Sequence, residues 1–287
     1  MTARREVEGR LHNLGEIREV MNSMKTLATM ETHKLARFLA VQQHQVADIE
    51  TMAADLLTHY PDVRPVTAPV GRVLILIGSE RGFCGDFNDR LAHAPQVSDH
   101  SVANSTIIAV GRRLAIRLDE RVTPTIALDG ASATEQVGSV LNQLARSIAT
   151  VQGEHGPLAL SVMYHDSNGG DLRERALYPA FAHVPGPKRQ FGHPPQLNLA
   201  PPVLFAELFE QYLFATLSEL LHTSLMAENQ KREQHLDSAI RHLDDRREEL
   251  DRRSRVLRQE EIIEEIEVIL LNVKAPGVGQ DKQPYRN

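Results

Sequence analysis

The chain has 287 residues, and 41% of them are apolar, which is enough for a folded core and too many for a largely disordered protein. Acidic residues outnumber basic ones by 38 to 32, so the formal net charge is −6. This balance argues against a primary role in binding nucleic acid, which requires a basic surface.

Cysteine usage and apolar run lengths limit the cellular setting. Cys84 is the only cysteine, so no intramolecular disulfide can form, and this fits a reducing compartment. The first residues lead directly into a charged amphipathic pattern, so we expect no signal peptide. The longest apolar runs, such as 73–77 and 268–271, are far shorter than the ~20 residues that span a bilayer. We therefore expect membrane association only through partners.

The first proline of the chain is Pro61. Because proline disrupts helix interiors, the proline-free segment 1–60 is a candidate for one long helix. Its apolar residues recur at alternating steps of three and four: Val7, Leu11, Leu14, Ile17, Met21, Met24, Ala28, Leu35, Leu39, Val46, Ile49, Ala53 and Leu56. That spacing places a narrow apolar stripe on a helix of about 55 residues, roughly 80 Å long. Polar Glu31, His33 and Lys34 interrupt the stripe.

Residues 68–182 predict a small open α/β domain of Rossmann-like type. Apolar runs at 73–77, 106–111 and 158–164 are typical of buried parallel strands, and a weaker strand at 123–128 carries Pro124, which favours a sheet edge. A further strand at 172–178 is expected to pair by a hairpin through 167–170. Helical patterns at 87–93, 112–118 and 133–151 alternate with these strands.

The last third predicts a proline-rich connector, a second long helix and a tail. The connector covers 183–202, the helix 203–275 and the tail 276–287. Leucines recur at intervals of seven, which is the spacing of a left-handed coiled coil. The stripe consists of Leu213, Leu217, Leu220, Ser224, Leu236, Ile240, Leu243, Leu250, Leu257, Ile262, Ile266, Ile269 and Val273. Such a stripe needs a partner helix, so we predict that the two ends form one long antiparallel coiled coil.

The segment 79–88 follows the first predicted strand and admits three interpretations. It could be a phosphate-binding loop, although neither common glycine pattern is present. Cys84 could be a nucleophile, with His93 and His100 nearby in sequence but without a recognisable triad. The third interpretation is structural, because Gly82 and Gly85 permit a tight turn from strand to helix.

No other cluster predicts an active site. The thirteen histidines are scattered, and none forms a metal-binding pair with a nearby carboxylate. The acidic residues of 260–265 are typical of a solvated or partner-facing helix surface. We therefore predict no catalytic residue, no metal and no cofactor. The residues alone favour a mechanical or scaffolding role.

Three segments resemble the gamma subunit of F-type ATP synthases, in the order and at the separations found in that family. Residues 79–88 resemble its S-D-R-G-L-C-G-G-[FY]-N pattern through Arg81, Gly82, Cys84, Gly85, Phe87 and Asn88. Residues 10–28 are similar to its first helix through Arg10, Leu11, Leu14, Val20, Met24, Leu27 and Ala28. Residues 258–266 resemble its R-Q-A-x-I-T-x-E-[IL] end through Arg258, Gln259, Ile262 and Glu265.

Several positions depart from the family pattern. Glu80, Phe83 and Asp86 are substitutions in the loop, Glu16-Ile17 replaces the usual N-T, and Ile263 replaces a threonine. Together with the tail 276–287, these departures resemble the divergent, often sodium-linked, ATPases of some bacteria.

The resemblance implies the central-stalk rotor of a rotary ATP synthase, in a peripheral complex on the cytoplasmic face of the bacterial plasma membrane. The implied partners are the alpha, beta and epsilon subunits and the membrane c-ring, with ion transport coupled to ATP synthesis or hydrolysis. It also implies that Arg10, Met24, Lys25, Arg258, Gln259 and Glu265 contact the alpha/beta ring. From the residues alone, a coiled-coil tether with an accessory domain and an α/β enzyme with helical dimerisation arms remain open.

Overall fold

The computed structural model describes residues 2–64, 69–94, 105–119, 124–181 and 194–274. Both predicted long helices are present: α1 spans Thr2–His59, and the last helix spans Pro201–Lys274. This last helix begins two residues before the predicted start, because proline is tolerated in a first helical turn, where the backbone N–H has no partner. The predicted tail and residues 183–193 of the connector lie outside the described residues.

The middle of the chain forms the predicted α/β domain. Its strands are β1 (Gly71–Ile77), β2 (Ser105–Val110), β3 (Ile126–Leu128), β4 (Leu158–His165) and β5 (Leu172–Tyr178). They form one sheet in the order β3-β2-β1-β4-β5, which is parallel except for the antiparallel β4–β5 pair. The edge position of β3 and the β4–β5 hairpin confirm the predictions. Between the strands lie α2 (Phe87–Ala92), α3 (Arg112–Asp119) and α4 (Val137–His155), so the last helix is α5.

The central strand β1 is buried on both faces of the sheet. Val73, Ile75 and Ile77 of β1 belong to one apolar cluster with side chains of α1, α4 and α5. Leu74 and Leu76 point to the other face, where they pack with α2 and α3. This two-sided burial explains why β1 is a continuous apolar run rather than an alternating one.

The chain divides into two compact units, and α1 and α5 contribute to both: residues 1–23 with 237–287, and residues 24–236. In the first unit, Arg18 Nε donates to Asp244 Oδ1 at 2.6 Å, and Arg4 Nη1 donates to Glu261 Oε2 at 3.0 Å. These contacts show that the two helices run antiparallel, as predicted.

The second unit contains the same antiparallel pair. Gln42 Nε2 donates to Ser218 Oγ at 3.0 Å, and the ring of Phe38 stacks on that of His222. Residues of the predicted stripe of α1 are buried here, including Leu35, Leu39, Val46 and Ile49.

Four stripe residues of the first unit are exposed, contrary to prediction. Ile17 is 49% exposed, and Ile262, Ile266 and Ile269 are 47%, 50% and 61% exposed. Arg4, near the start of α1, already lies opposite Glu261, so α5 continues beyond the part of α1 that could cover it. Contact with a single partner helix covers only the side chains that point directly at that helix, and Ile17 lies to one side of this contact.

Two of the three polar residues that interrupt the α1 stripe, Glu31 and Lys34, bind the domain. Glu31 Oε2 accepts hydrogen bonds from the backbone N and the Oγ1 of Thr134, at 3.2 and 2.9 Å. Thr134 starts the short 3-10 turn that leads into α4, where backbone N–H groups lack partners and a carboxylate is favourable. Lys34 pairs with neighbouring Glu135. The interruption is therefore a docking point for α4.

We expect Gly111→Ala to lower the free energy of unfolding by more than ~2 kcal/mol. Gly111 has a φ of 114°, and a Cβ there would lie 2.8 Å from the carbonyl oxygens of Gly78 and Ser79. Urea denaturation would measure the loss. The control is Gly138→Ala in α4, where a Cβ meets nothing within 4 Å; it should stabilise the chain by ~0.5–1 kcal/mol. Equal effects of the two variants would contradict the predicted clash.

We expect His165 to make stability fall with acidification. Its ring is buried on Phe87, with Nε2 2.8 Å from the Phe87 carbonyl oxygen and Nδ1 3.1 Å from that of Gly170. Burial lowers the pKa of His165 below 6.5, although the two carbonyl groups oppose this shift. As pH falls through 6.5, the unfolded chain therefore takes up a proton before the folded chain does, and the stabilisation present above that pH is lost.

The measurement is the free energy of unfolding in urea at pH 7.5 and pH 5.5. The wild-type chain should lose more stability between these two conditions than His165→Gln, which cannot take up the proton. His155→Gln, at an exposed position in α4, is the control and should behave as the wild type. A wild-type loss no larger than that of His165→Gln would contradict the prediction.

Candidate functional site

The segment 79–88, which we call the loop motif, lies at the carboxyl end of the central strand β1. Ser79 is fully buried, and its backbone N–H donates to Asn88 Oδ1 at 3.0 Å. Asn88 Nδ2 donates in turn to Ser79 Oγ at 2.8 Å. The Asn88 side chain therefore closes the motif by joining its first residue to α2.

Glu80 connects the motif to two neighbouring strands. Its Oε2 accepts the backbone N–H of Arg112 at 2.9 Å and that of Gly130 at 2.8 Å. These residues follow β2 and β3, so one carboxylate joins the carboxyl ends of three strands. The family pattern has aspartate at this position, and the substitution retains the carboxylate.

The underside of the motif contacts α5 through a set of residues that we call the buried polar cluster: Cys84, Glu228, Asn229 and Arg232. All four are buried, and Arg232 forms an ion pair with Glu228. Arg232 Nε donates to the Gly82 carbonyl oxygen at 3.1 Å, and its Nη2 donates to Cys84 Sγ at 3.4 Å. The cluster joins the loop motif directly to the long helix.

The thiol of Cys84 is not arranged as a nucleophile. Burial raises its pKa to about 11, reinforced by the negative charge of Glu228 and opposed by Arg232. The thiol donates to the carbonyl oxygens of Arg81 and Gly82, both at 3.3 Å. His93 contacts a carbonyl oxygen of its own helix, and His100 lies outside the described residues. A reactive cysteine requires a lowered pKa and access, and Cys84 has neither.

The motif is also not arranged to bind phosphate. The backbone N–H of Ser79 is used by Asn88, and those of Glu80 and Arg81 donate to Glu228. Because a phosphate-binding loop must direct several free N–H groups at its ligand, these internal bonds argue against that interpretation. Of the three readings of the motif, the arrangement agrees with the structural one.

The outer side of the motif lines an open cleft of about 490 Å³. Arg81, Arg113, Arg117 and His235 contribute to its wall, and Phe83 lies at its edge with 49% of its surface exposed. Arg117 is neutralised in part by Asp89, 2.8 Å away. Phe83 adopts a left-handed φ of 64°, which is uncommon for a bulky residue and must be maintained by its surroundings.

The predicted ring-contact residues are divided between the two units. Arg10, Arg258, Gln259 and Glu265 belong to the first unit and are all exposed, with Arg10 bonded only to the nearby Glu6 among the contacts described for it. Met24 and Lys25 belong to the second unit and are half-buried. The exposed ring-contact residues of the first unit therefore present polar groups on both antiparallel helices, α1 and α5.

The sequence did not predict two clusters of charged residues in the second unit. Glu228 and Arg232 stand four residues apart on α5, a spacing that is also typical of solvated helix surfaces, so no sequence pattern marks their burial. Arg175 of β5 pairs with Glu50 of α1 at 2.8 Å and with Glu219 of α5 at 3.0 Å. No local pattern marks this triad, because its members are far apart in sequence.

The end of α5 carries exposed apolar residues, and only some of them belong to the predicted apolar stripe. They include Val256, Ile262, Ile263, Ile266, Val268, Ile269, Leu270 and Leu271. A contiguous exposed apolar surface of this kind usually marks a surface that binds another protein. Among the described residues, no helix is sufficiently long and apolar to cross a bilayer, and no group of histidine, cysteine and acidic side chains could hold a metal.

Comparison with known proteins agrees with the resemblance found in the sequence. A family model described as ATP synthase matches residues 3–275. The ATP synthase gamma chain of Clostridium botulinum is 21% identical over 280 residues, covering 94% of this chain and 96% of its own length. The mitochondrial ATP synthase subunit gamma of Pichia angusta is 20% identical over 182 residues, and the match spans 65% of that protein.

Solved structures share the fold. A chain from the Euglena gracilis mitochondrial ATP synthase in rotational state 3 superposes with a TM-score of 0.62 at 12% identity, covering 98% of this chain and 99% of that one. A chain from the central stalk and c-ring of the Tetrahymena thermophila mitochondrial ATP synthase gives 0.55 at 14% identity, covering 77% and 99%. Since the family model covers nearly all of the sequence and the full-length relatives are gamma chains, this chain belongs to the gamma-subunit family of ATP synthases.

Proposed function

We propose that this chain is the central-stalk rotor of an ATP synthase. It couples ion flow through the membrane sector to ATP synthesis or hydrolysis in a ring of alpha and beta subunits. The observation that carries this function is the family match over residues 3–275 of a chain whose two ends form antiparallel helices. The tether and the enzyme are not supported, because the family accounts for both the helices and the α/β domain.

The partners follow from the assemblies of the structural neighbours. One neighbour is a chain from the central stalk and c-ring, and another is a chain from the rotor of the Euglena enzyme, which covers 91% of this chain at a TM-score of 0.59. We infer contacts with the alpha, beta and epsilon subunits and with the c-ring. The membrane subunits hold the ion site, so the resemblance to the sodium-linked branch stays a prediction.

The chain itself acts without chemistry. A single rotor chain lacks the rotational symmetry of a ring, so each catalytic beta subunit meets a different set of its groups. A partner that binds three conformations unequally shifts their populations by its differential affinity. Rotation then changes which subunit is favoured at each moment, which is a rigid-body form of allostery.

The first unit offers the groups for such contacts. The exposed apolar residues between 256 and 271 can pack against apolar side chains of the alpha/beta ring. Arg258 offers five N–H donors and Gln259 two, which can bind polar groups of the ring. Glu265 adds an acceptor one to two turns further along α5. We propose that these three residues, with Arg10, Met24 and Lys25 of α1, contact the alpha/beta ring.

We also propose a peripheral location on the cytoplasmic face of a bacterial plasma membrane, since curated relatives over the full length are clostridial gamma chains. Fractionation of cells that contain the complete complex tests this. The chain should sediment with the membranes together with alpha and beta subunits, and a wash without detergent should release it with them. Release only by detergent would contradict a peripheral location.

We expect Arg258→Glu combined with Gln259→Glu to lower ATP turnover and ATP-driven ion pumping of the assembled complex by about tenfold or more. Truncating or reversing a charged contact at a protein interface typically costs a few kcal/mol, and ~1.4 kcal/mol corresponds to tenfold. The measurement is ATP hydrolysis and ion uptake by the reconstituted complex in vesicles.

The matched control is Arg253→Glu, an exposed charge reversal on the same helix but on a different face. It should retain most of the activity. Copurification of the alpha, beta and epsilon subunits with each variant shows that the complex has assembled. Wild-type coupling in an assembled complex of the double variant would rule out these two contacts.

A further inference from the structure

The buried polar cluster is unusual because it places a full ion pair inside the second unit. Glu228 and Arg232 are 2% and 5% exposed, and Asn229 between them is equally buried. Burial raises the pKa of Glu228, and the attraction of Arg232 opposes that shift. Charges of this kind are costly to bury unless each is paired and its remaining groups are hydrogen-bonded.

The hydrogen bonds described for the pair go to the loop motif or to its own helix. Glu228 accepts the backbone N–H groups of Glu80 and Arg81. Arg232 donates to the carbonyl oxygen of Gly82 and the sulfur of Cys84, and its Nη1 donates to Asn229 Oδ1 at 2.7 Å. Among the described residues, the contacts of the pair outside α5 are therefore those with Glu80, Arg81, Gly82 and Cys84 of the loop motif.

The loop motif needs such support. Phe83 and Gly85 both adopt left-handed φ angles, 64° and 59°, and the segment 79–86 has no helix or strand of its own. A loop with its N–H groups free would exchange conformations readily, because few backbone bonds define it. The pair supplies those bonds from a long helix.

A pure stability role does not explain the choice of residues. Apolar residues of similar volume in place of a buried ion pair are often neutral or stabilising, whereas a pair can specify one arrangement of the groups around it. Here the specified arrangement is that of the loop motif, which presents Phe83 and Arg81 at the surface.

We propose that Glu228 and Arg232 are positioning residues, which hold residues 80–84 of the loop motif on α5 in one conformation, so that the loop turns with the long helix. The effect of these two residues on coupling rests on the proposed rotor function. Their attachment of the loop motif to α5 is a property of the chain alone, so attachment and coupling can be tested separately.

Cys84 reports the state of the loop, because it is the only cysteine and its thiol is buried beneath the motif. At pH 8, iodoacetamide should alkylate Cys84 about 100-fold more slowly in the folded wild-type chain than in the urea-unfolded chain. The raised pKa of the buried thiol alone accounts for this difference, because only the thiolate reacts. Glu228→Gln and Arg232→Gln should each accelerate labelling of the folded chain by about tenfold or more, because the loop opens locally.

Single variants leave a buried charge unpaired and so could unfold the chain. The decisive variant is therefore the double change Glu228→Leu with Arg232→Met, which replaces the pair by apolar side chains. It should melt at the temperature of the wild type, yet label at Cys84 about tenfold faster. Arg241→Gln is the matched control: it removes an exposed ion pair of the same i,i+4 spacing on α5 and should change neither readout.

The assembled complex supplies the second readout. With the double variant, ion pumping per ATP hydrolysed should fall while alpha and beta subunits still copurify. A folded double variant with wild-type labelling at Cys84 overturns the attachment of the loop motif to α5. Faster labelling with unchanged pumping per ATP overturns its role in coupling. Failure of the wild-type chain to copurify with alpha and beta subunits would instead refute the proposed function, and the labelling result would stand.

Discussion

A helix with a narrow apolar stripe must bury that stripe on a second helix, and this constraint underlies the rest of the molecule. Neither α1 nor α5 can shield its own stripe, because each is far too long to fold back on itself without a break. In both units the two helices run antiparallel, joined by Arg18 and Asp244 in one and by Gln42 and Ser218 in the other. The two ends of the chain can pair in this sense only because the intervening domain returns the chain.

Polar side chains of the helices determine how the α/β domain is attached. Glu31 of α1 binds the start of α4, and Glu228 and Arg232 of α5 bind the loop motif. Arg175 of β5 bonds carboxylates of both helices. Apolar packing alone is tolerant of small shifts, whereas hydrogen-bonded ion pairs have defined directions. A domain held at three such points resists displacement along or around the helices, which a rotating element requires.

The loop motif combines rigidity on one side with an open surface on the other. Asn88 binds the Ser79 N–H, Glu228 those of Glu80 and Arg81, and Arg232 the Gly82 carbonyl oxygen. The Cys84 thiol is buried with a raised pKa. The outer side of the motif carries Arg81 and Phe83 next to a basic cleft. The arrangement is that of a fixed contact surface, which agrees with a rotor subunit that binds partners and performs no chemistry.

The secondary-structure elements could be predicted from the sequence, because each has a local cause. Proline-free ends, heptad leucines and continuous apolar runs predict the two long helices and the five described strands, and Pro124 indicates that β3 lies at a sheet edge. The family was also readable, since its motifs are contiguous at 79–88 and 258–266. Features that depend on distant partners could not be predicted: the exposure of Ile17 and Ile262, the ion pairs of Arg175, and the burial of Glu228 and Arg232 beneath Cys84. A charge four residues from its counterion looks like a solvated helix face until the fold places a loop over it.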